Sequence, residues 1–173
     1  KWSAPQKVEI TADTLSNYGD PAVSPDGKYL YFTSDMPGGQ GKLDLWRINL
    51  KDRRGTLENL GEQINTPGNE RFPYCRTDSI LYFASDGHAG FGGLDLFRAT
   101  LQPSGRWFIE NMGAPMNSAD DDFGITFGKG ESGYFSSNRK DGRGYDHIYS
   151  FEKPDLKVWI SGYVYDKDEE PVT

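Results

Sequence analysis

The sequence is poor in the residues that most often announce chemistry. It has one cysteine, Cys75, and two histidines, His88 and His147. A single thiol excludes an internal disulfide and a cysteine-rich zinc site. Long apolar runs are missing too: no stretch approaches the roughly 20 residues that cross a bilayer as a helix. There is no cluster of Lys and Arg, and the formal net charge is −7. That balance argues against nucleic acid or an anionic membrane surface as a partner. Hydrophobic residues make up 35% of the chain, below the roughly 45–50% of an ordinary globular domain. No convincing amphipathic helical pattern occurs. Aromatics at 14% and 21 glycines compensate, since rings bury much area per residue and glycines permit tight turns. The mixture suits many short strands joined by turns.

The strands come as a repeat. Tyr31-Phe32-Thr33-Ser34-Asp35, a Gly-rich loop and Leu43-Asp44-Leu45-Trp46-Arg47 form the first copy. Tyr82-Phe83-Ala84-Ser85-Asp86, a Gly-rich loop and Leu94-Asp95-Leu96-Phe97-Arg98 form the second. Tyr134-Phe135-Ser136-Ser137-Asn138, a loop one residue shorter, and Tyr145-Asp146-His147-Ile148-Tyr149 form the third. Asp44, Asp95 and Asp146 recur at intervals of 51. A second phrase follows: Asn59-Leu60-Gly61 with Ile64-Asn65, then Asn111-Met112-Gly113 with Met116-Asn117. The first unit reads as strand a over 21–24, the turn Pro25-Asp26-Gly27, strand b over 28–33, strand c over 43–50 and strand d near 57–64. Four-strand repeats of this length signify the blades of a β-propeller. The expected fold is therefore all-β, with blades at 18–66, 67–118 and 119–153.

The recurring aspartates have a structural reading and a functional one. A carboxylate after a Gly-rich loop can accept that loop's N–H groups and fix the register of b against c. Alternatively, Asp35 with Asp44, and their counterparts, could hold a cation such as calcium, but each loop offers two obvious carboxylates where calcium takes six or more oxygens. The expectation is that Asp44, Asp95 and Asp146 occupy equivalent positions as loop-holding residues, with no metal and no cofactor.

Ser24-Pro25-Asp26-Gly27-Lys28, Leu30-Tyr31-Phe32-Thr33-Ser34 and Leu43-Asp44-Leu45-Trp46 resemble the PD40 repeat, the WD40-like unit of TolB-type propellers. Arg76-Thr77-Asp78-Ser79 and Gly128-Lys129-Gly130-Glu131 depart from it at the turn. Beyond a linker at 154–157, residues 158–173, beginning Val158-Trp159-Ile160-Ser161-Gly162, look like the first strand of a carboxypeptidase-regulatory-like sandwich. Residues 1–17 look like strand d of a preceding blade. Propeller plus sandwich resembles the PorE-type envelope lipoproteins of Bacteroidetes-type bacteria, which add helical TPR repeats and an OmpA-like domain. That resemblance implies a periplasmic, outer-membrane-associated docking platform, plausible for type IX secretion. Its partners would be envelope proteins, with peptidoglycan bound only through a domain these residues do not include. Three blades cannot close a ring, so missing segments or a second copy are expected to cover the open faces.

Enzyme signatures are weak. Gly130-Glu131-Ser132-Gly133 is followed by Tyr134 and so fails as a nucleophile elbow. His88 sits in a loop where solvation is the default, and His147 takes the place of Leu45 and Leu96, as a packed residue would. The run Asp120-Asp121-Asp122 is expected to cap the start of a strand and face water, since nothing positions a catalytic pair of carboxylates. Partner recognition is expected on the b–c and d–a loops, at Met36, Gln40, His88, Phe91, Arg139, Arg143 and Tyr145. The competing reading is a carbohydrate-binding or hydrolytic propeller completed by absent blades.

Overall fold

The computed structural model describes residues 2–10, 15–52, 56–140, 144–154, 161–162 and 167. Those residues are all-β, in three antiparallel sheets. Sheet 1 contains β1 (Tyr18–Val23), β2 (Tyr29–Ser34), β3 (Asp44–Asn49) and β4 (Leu57–Asn59) in chain order. Sheet 2 contains β5 (Glu70–Thr77), β6 (Ile80–Ser85), β7 (Asp95–Leu101) and β8 (Trp107–Asn111), and sheet 3 contains β9 (Asp122–Phe127), β10 (Ser132–Ser137) and β11 (His147–Glu152). Each sheet is a meander of sequential neighbours, which is why one repeat makes one sheet.

The strands stop where turn chemistry stops them. After β1, Ser24 Oγ donates to Asp26 Oδ1 at 2.6 Å and accepts from Tyr29 N–H at 2.9 Å. Gly27, at φ 66°, closes the turn onto Ser24 C=O, a conformation that costs glycine no Cβ clash. Strand a begins at Tyr18 rather than at 21, because it continues back through a bulge between Gly19 and Ala22. Asp20 (φ 50°), Phe72 (φ 53°) and Gly124 (φ 65°) mark the same bulge in the three first strands. Strand d is shorter than expected and ends at Asn59. Beyond it the chain turns through Gly61, at φ 77°.

The sheets stack face to face. Tyr31 and Leu45 of sheet 1 pack on Leu81, Phe83, Phe97 and Ala99 of sheet 2. Tyr82 and Leu96 of sheet 2 pack in turn with Ile125 and Phe135 of sheet 3. Central strands buried on both faces read as continuous apolar runs, as Leu81-Tyr82-Phe83-Ala84 does. A third cluster, Phe32, Met36, Trp46 and Ile48, covers the other face of sheet 1, and Ile10 packs against it. Residues 2–10 themselves form no strand, contrary to the expectation for 1–17. A d strand pairs with a c strand of its own sheet, and none precedes β1 among the described residues. Among the described residues no sheet covers the far face of sheet 3. Tyr31 and Tyr82 are 4% and 6% exposed, whereas their counterpart Tyr134 is 56% exposed. Leu45 and Leu96 are fully buried, whereas Ile148, their counterpart in register, is 78% exposed.

Backbone contacts lock the joints. Lys42 N–H donates to Gly68 C=O at 2.9 Å and Glu70 N–H to Leu43 C=O at 2.7 Å, while Asp122 N–H donates to Leu94 C=O at 2.6 Å in the second joint. A Cβ on Gly41 would overlap the Thr66 carbonyl oxygen, and one on Gly92 that of Asp120. Gly19 has open space instead. Gly92→Ala should therefore lower unfolding free energy in urea by about 1–3 kcal/mol, as overpacking does. Gly19→Ala should stay within about 0.5 kcal/mol of the parent.

Candidate functional site

The long loops gather at one end of the sheets, and polar side chains pin them there in a repeated scheme. The residue that closes strand b accepts bonds through its hydroxyl: Ser34 from Met36 N–H, Ser85 from Gly87 and His88 N–H, Ser137 from Arg139 N–H. The next residue pairs with the one preceding strand a. Asp35 accepts from the Asn17 N–H and amide, both at 2.7 Å, and Asp86 accepts from the Asn69 N–H and amide at 2.6 and 2.7 Å. In sheet 3 the partners are exchanged. Asn138 Oδ1 accepts from Asp121 N–H at 2.7 Å, and its amide donates to Asp121 Oδ2 at 3.0 Å. Either order leaves one amide and one carboxylate, so the pair is conserved as chemistry though not as sequence.

The far end of each loop is held by the aspartate that starts strand c. Asp44 accepts from Gln40 N–H at 2.6 Å and Gly41 N–H at 3.0 Å, and Asp95 from Phe91 N–H at 2.7 Å and Gly92 N–H at 3.1 Å. Asp44 also accepts from the Asn59 amide at 2.8 Å, whereas Asn111 donates to Ala89 C=O instead. Asp95 Oδ1 is left buried without a hydrogen-bond partner. Asp146 departs from the expected equivalence. Ser34 pairs with Asp44 and Ser85 with Asp95, but Ser137 pairs with His147. The shorter third loop thus brings the residue after Asp146 into register, and Asp146 lies exposed just before the strand. His147 consequently stands in register with the aspartates rather than with Leu45 and Leu96, and is exposed.

Two side chains that sequence reasoning passed over carry the turns between strands d and a. Asn65 Oδ1 accepts from Leu45 N–H and its amide donates to Leu45 C=O, at 2.8 and 3.0 Å, and Asn117 does the same for Leu96 at 2.8 and 2.9 Å. Each carboxamide stands in for the backbone of a fourth strand that has already turned away. Both residues belong to the repeated Asn-containing phrase, which was the available signal. Glu70 is fully buried and accepts from Thr66 N–H, Thr66 Oγ1 and Ser85 Oγ at 2.6–2.8 Å. Burial raises its carboxyl pKa, and the bonds from Ser85 and Thr66 oppose that rise. Asp122 takes the same place in sheet 3, bonded to Ser118 and paired with Arg139 at 2.6 Å. It is fully buried, so the acidic run 120–122 does not simply face water. Only position 120 of the three fails to receive a side-chain bond at its carboxylate among the described residues, and Asp121 Oδ1 accepts from Leu94 N–H.

The expected recognition residues divide accordingly. Met36 is buried in the sheet 1 cluster. His88 packs its ring against Phe83 and Phe97, with Nε2 2.8 Å from Ile64 C=O. Arg139 bonds Asp122 and the Pro115 and Met116 carbonyls, and lies over the Phe135 and Tyr149 rings. These three are internal to the fold. Gln40, Phe91 and Tyr145 are exposed, the last two at 57% and 73%. Arg143 lies outside the described residues, as do most of the expected linker and sandwich start. No group of three or more potential metal-ligating side chains occurs among the described residues. No family model matches the chain, and no curated protein matches it.

Two outcomes check this scheme. Asn138→Asp places two carboxylates face to face and should cost about 1–3 kcal/mol, as an unsatisfied buried group does. Adding Asp121→Asn recreates the sheet 2 arrangement and should recover most of the loss, measured by a double-mutant cycle. Glu70 binds its proton more tightly in the folded chain than in the unfolded one. Its contribution is present below the usual glutamate pKa and is lost as pH rises through the raised folded value. The melting temperature of the parent should therefore fall relative to Glu70→Gln as pH is raised from 4 to 7, and parallel pH profiles would show that Glu70 does not titrate abnormally.

Proposed function

We propose that the chain is the three-blade part of a β-propeller whose loop end serves as a non-catalytic protein-docking platform. The observation that carries this reading is an exposed ring, Phe91, on a pinned backbone. Phe91 stands out from a loop whose own N–H is held by the buried Asp95 carboxylate. Tyr145 projects from the third loop just before β11. Rings held on an ordered backbone give contact area at small entropic cost, the feature that makes aromatics interface anchors. The stacking of sequential meanders through their faces supports the propeller reading. The setting is proposed from the resemblance to PD40 repeats of PorE-type lipoproteins: a periplasmic, outer-membrane-associated protein, with type IX secretion as the assembly it serves.

The platform is tested with a partner captured from envelope extracts on the parent chain and then purified. Phe91→Ala and Tyr145→Ala together should weaken its affinity by about 2 kcal/mol or more, roughly thirtyfold. The melting temperature should remain within about a degree, because neither ring is part of a core cluster. A partner that binds the double variant equally well, or that protects the short turns at 24–28 and 102–106 instead, overturns the assignment.

A further inference from the structure

The corner of the loop end where sheet 2 meets sheet 3 is built from residues 86–95 and 117–122. Those two segments contain five aspartates, Asp86, Asp95, Asp120, Asp121 and Asp122, and no Lys or Arg. Arg139 reaches in and pairs with Asp122 at 2.6 Å. Among the described residues none of the other four forms an ion pair. Asp86 and Asp121 accept amide and backbone N–H groups, which satisfy their oxygens but leave their charges uncompensated. Asp95, 1% exposed, lies under the Phe91–Gly92 backbone, whose two N–H groups bond its Oδ2, while its Oδ1 has no donor. A carboxylate shielded from water projects its field further than a solvated one. His88 offers no counter-charge at the surface, because its ring is turned inward to Ile64 C=O.

One phenyl ring stands in the middle of this charge. Phe91 is 57% exposed. The next residue, Gly92, abuts Asp120 so closely that a Cβ there would overlap the Asp120 backbone. Asp120 is half-buried, and among the described residues its carboxylate accepts no hydrogen bond. A ring and an unengaged carboxylate are thus held side by side, on backbone that the joint fixes through Asp122 N–H and Leu94 C=O. Elsewhere the chain covers its own phenyl rings with guanidinium groups. Arg71 lies over Phe72 and Arg76 over Phe127, both at 4.4 Å, and Arg139 lies over Phe135 at 5.1 Å. Among the described residues no guanidinium lies over Phe91. Even with exposed Lys140 of the third loop counted, the described corner carries more acid than base.

We propose that this corner, with Asp120 beside Phe91 and Asp95 beneath it, receives an arginine side chain from a basic segment of the docked protein. The proposal rests on the docking-platform reading and names the chemistry of the contact. The guanidinium plane stacks on the Phe91 ring, and its N–H edge donates to the Asp120 carboxylate. Arginine suits the place better than lysine, because a planar and weakly hydrated cation makes both contacts at once. The sign of the field excludes an anionic ligand.

The probe is a seven-residue peptide with two arginines among glycines and serines, added to the isotope-labelled intact chain. It should bind saturably, with a millimolar or lower dissociation constant, and shift the amide signals of Phe91, Gly92 and Asp120. Its affinity should fall at least threefold as ionic strength rises from about 0.01 M to about 0.15 M, as screening demands. Lysines in place of the arginines should weaken binding at least threefold, and glutamates should abolish it. Phe91→Ala and Asp120→Asn should each weaken the arginine peptide at least fivefold with the melting temperature unchanged. Asp78→Asn, at the opposite end of sheet 2, should leave binding as it was. Shifts confined to other parts of the chain, equal binding of the glutamate peptide, or an Asp120→Asn variant that binds like the parent would each overturn the proposal. The captured partner separates this contact from the platform itself. An affinity that drops with Phe91→Ala but not with Asp120→Asn rejects the arginine contact and keeps the platform, whereas a partner seated on the short turns rejects both.

Discussion

Tyr31 and Leu45 stacked on Leu81, Phe83 and Phe97 form the contact on which the rest of the molecule depends. Sheets 1 and 2 carry apolar clusters on both faces, so each gains stability from what stacks on it. Fully burying one large apolar side chain contributes about 1.5–3 kcal/mol relative to leaving it exposed. A small meander has few other sources of stability. Stacking then sets how close the sheets approach, and that approach requires glycine at positions 41 and 92, where backbone meets backbone.

The loop scheme follows from the same closeness. Once sheets lie this near, the N–H groups of the connecting loops are shielded from water and need acceptors within the chain. Asp44, Asp95, Glu70 and Asp122 supply them, each 1% exposed or less. Their cost in desolvation is met by several donors apiece, except at Asp95 Oδ1. The result is a pinned loop end on which Phe91 stands free of the core. Among the described residues stacking runs out at the far face of sheet 3, where Tyr134 and Ile148 expose positions that the first two sheets bury.

Much of this was legible in the residues. Periodicity of aromatic runs and glycine turns gave the strands, and the spacing of Asp44 and Asp95 gave the repeat, because identical local sequences make identical local turns. Other assignments failed for reasons that lie beyond local sequence. Asp146 aligned with its counterparts by identity, yet the shortened loop put His147 into register. Met36, His88 and Arg139 looked like loop residues free for recognition, but a loop residue's partners come from neighbouring strands and sheets. His88 packs on Phe83 and Phe97, and Arg139 reaches Asp122 across 17 residues of chain.

The sequence by itself determined the strands, their turns and their grouping into repeating units, since these depend on side-chain alternation and on dihedral preferences within a few residues. Only the tertiary structure decided which polar side chains are buried and which loop rings remain exposed. Those properties depend on what the adjoining sheet covers. Tyr31, Tyr82 and Tyr134 occupy one position in three copies of the repeat. The first two are core residues and the third is surface, because sheets 2 and 3 cover the first two and no sheet among the described residues covers the third.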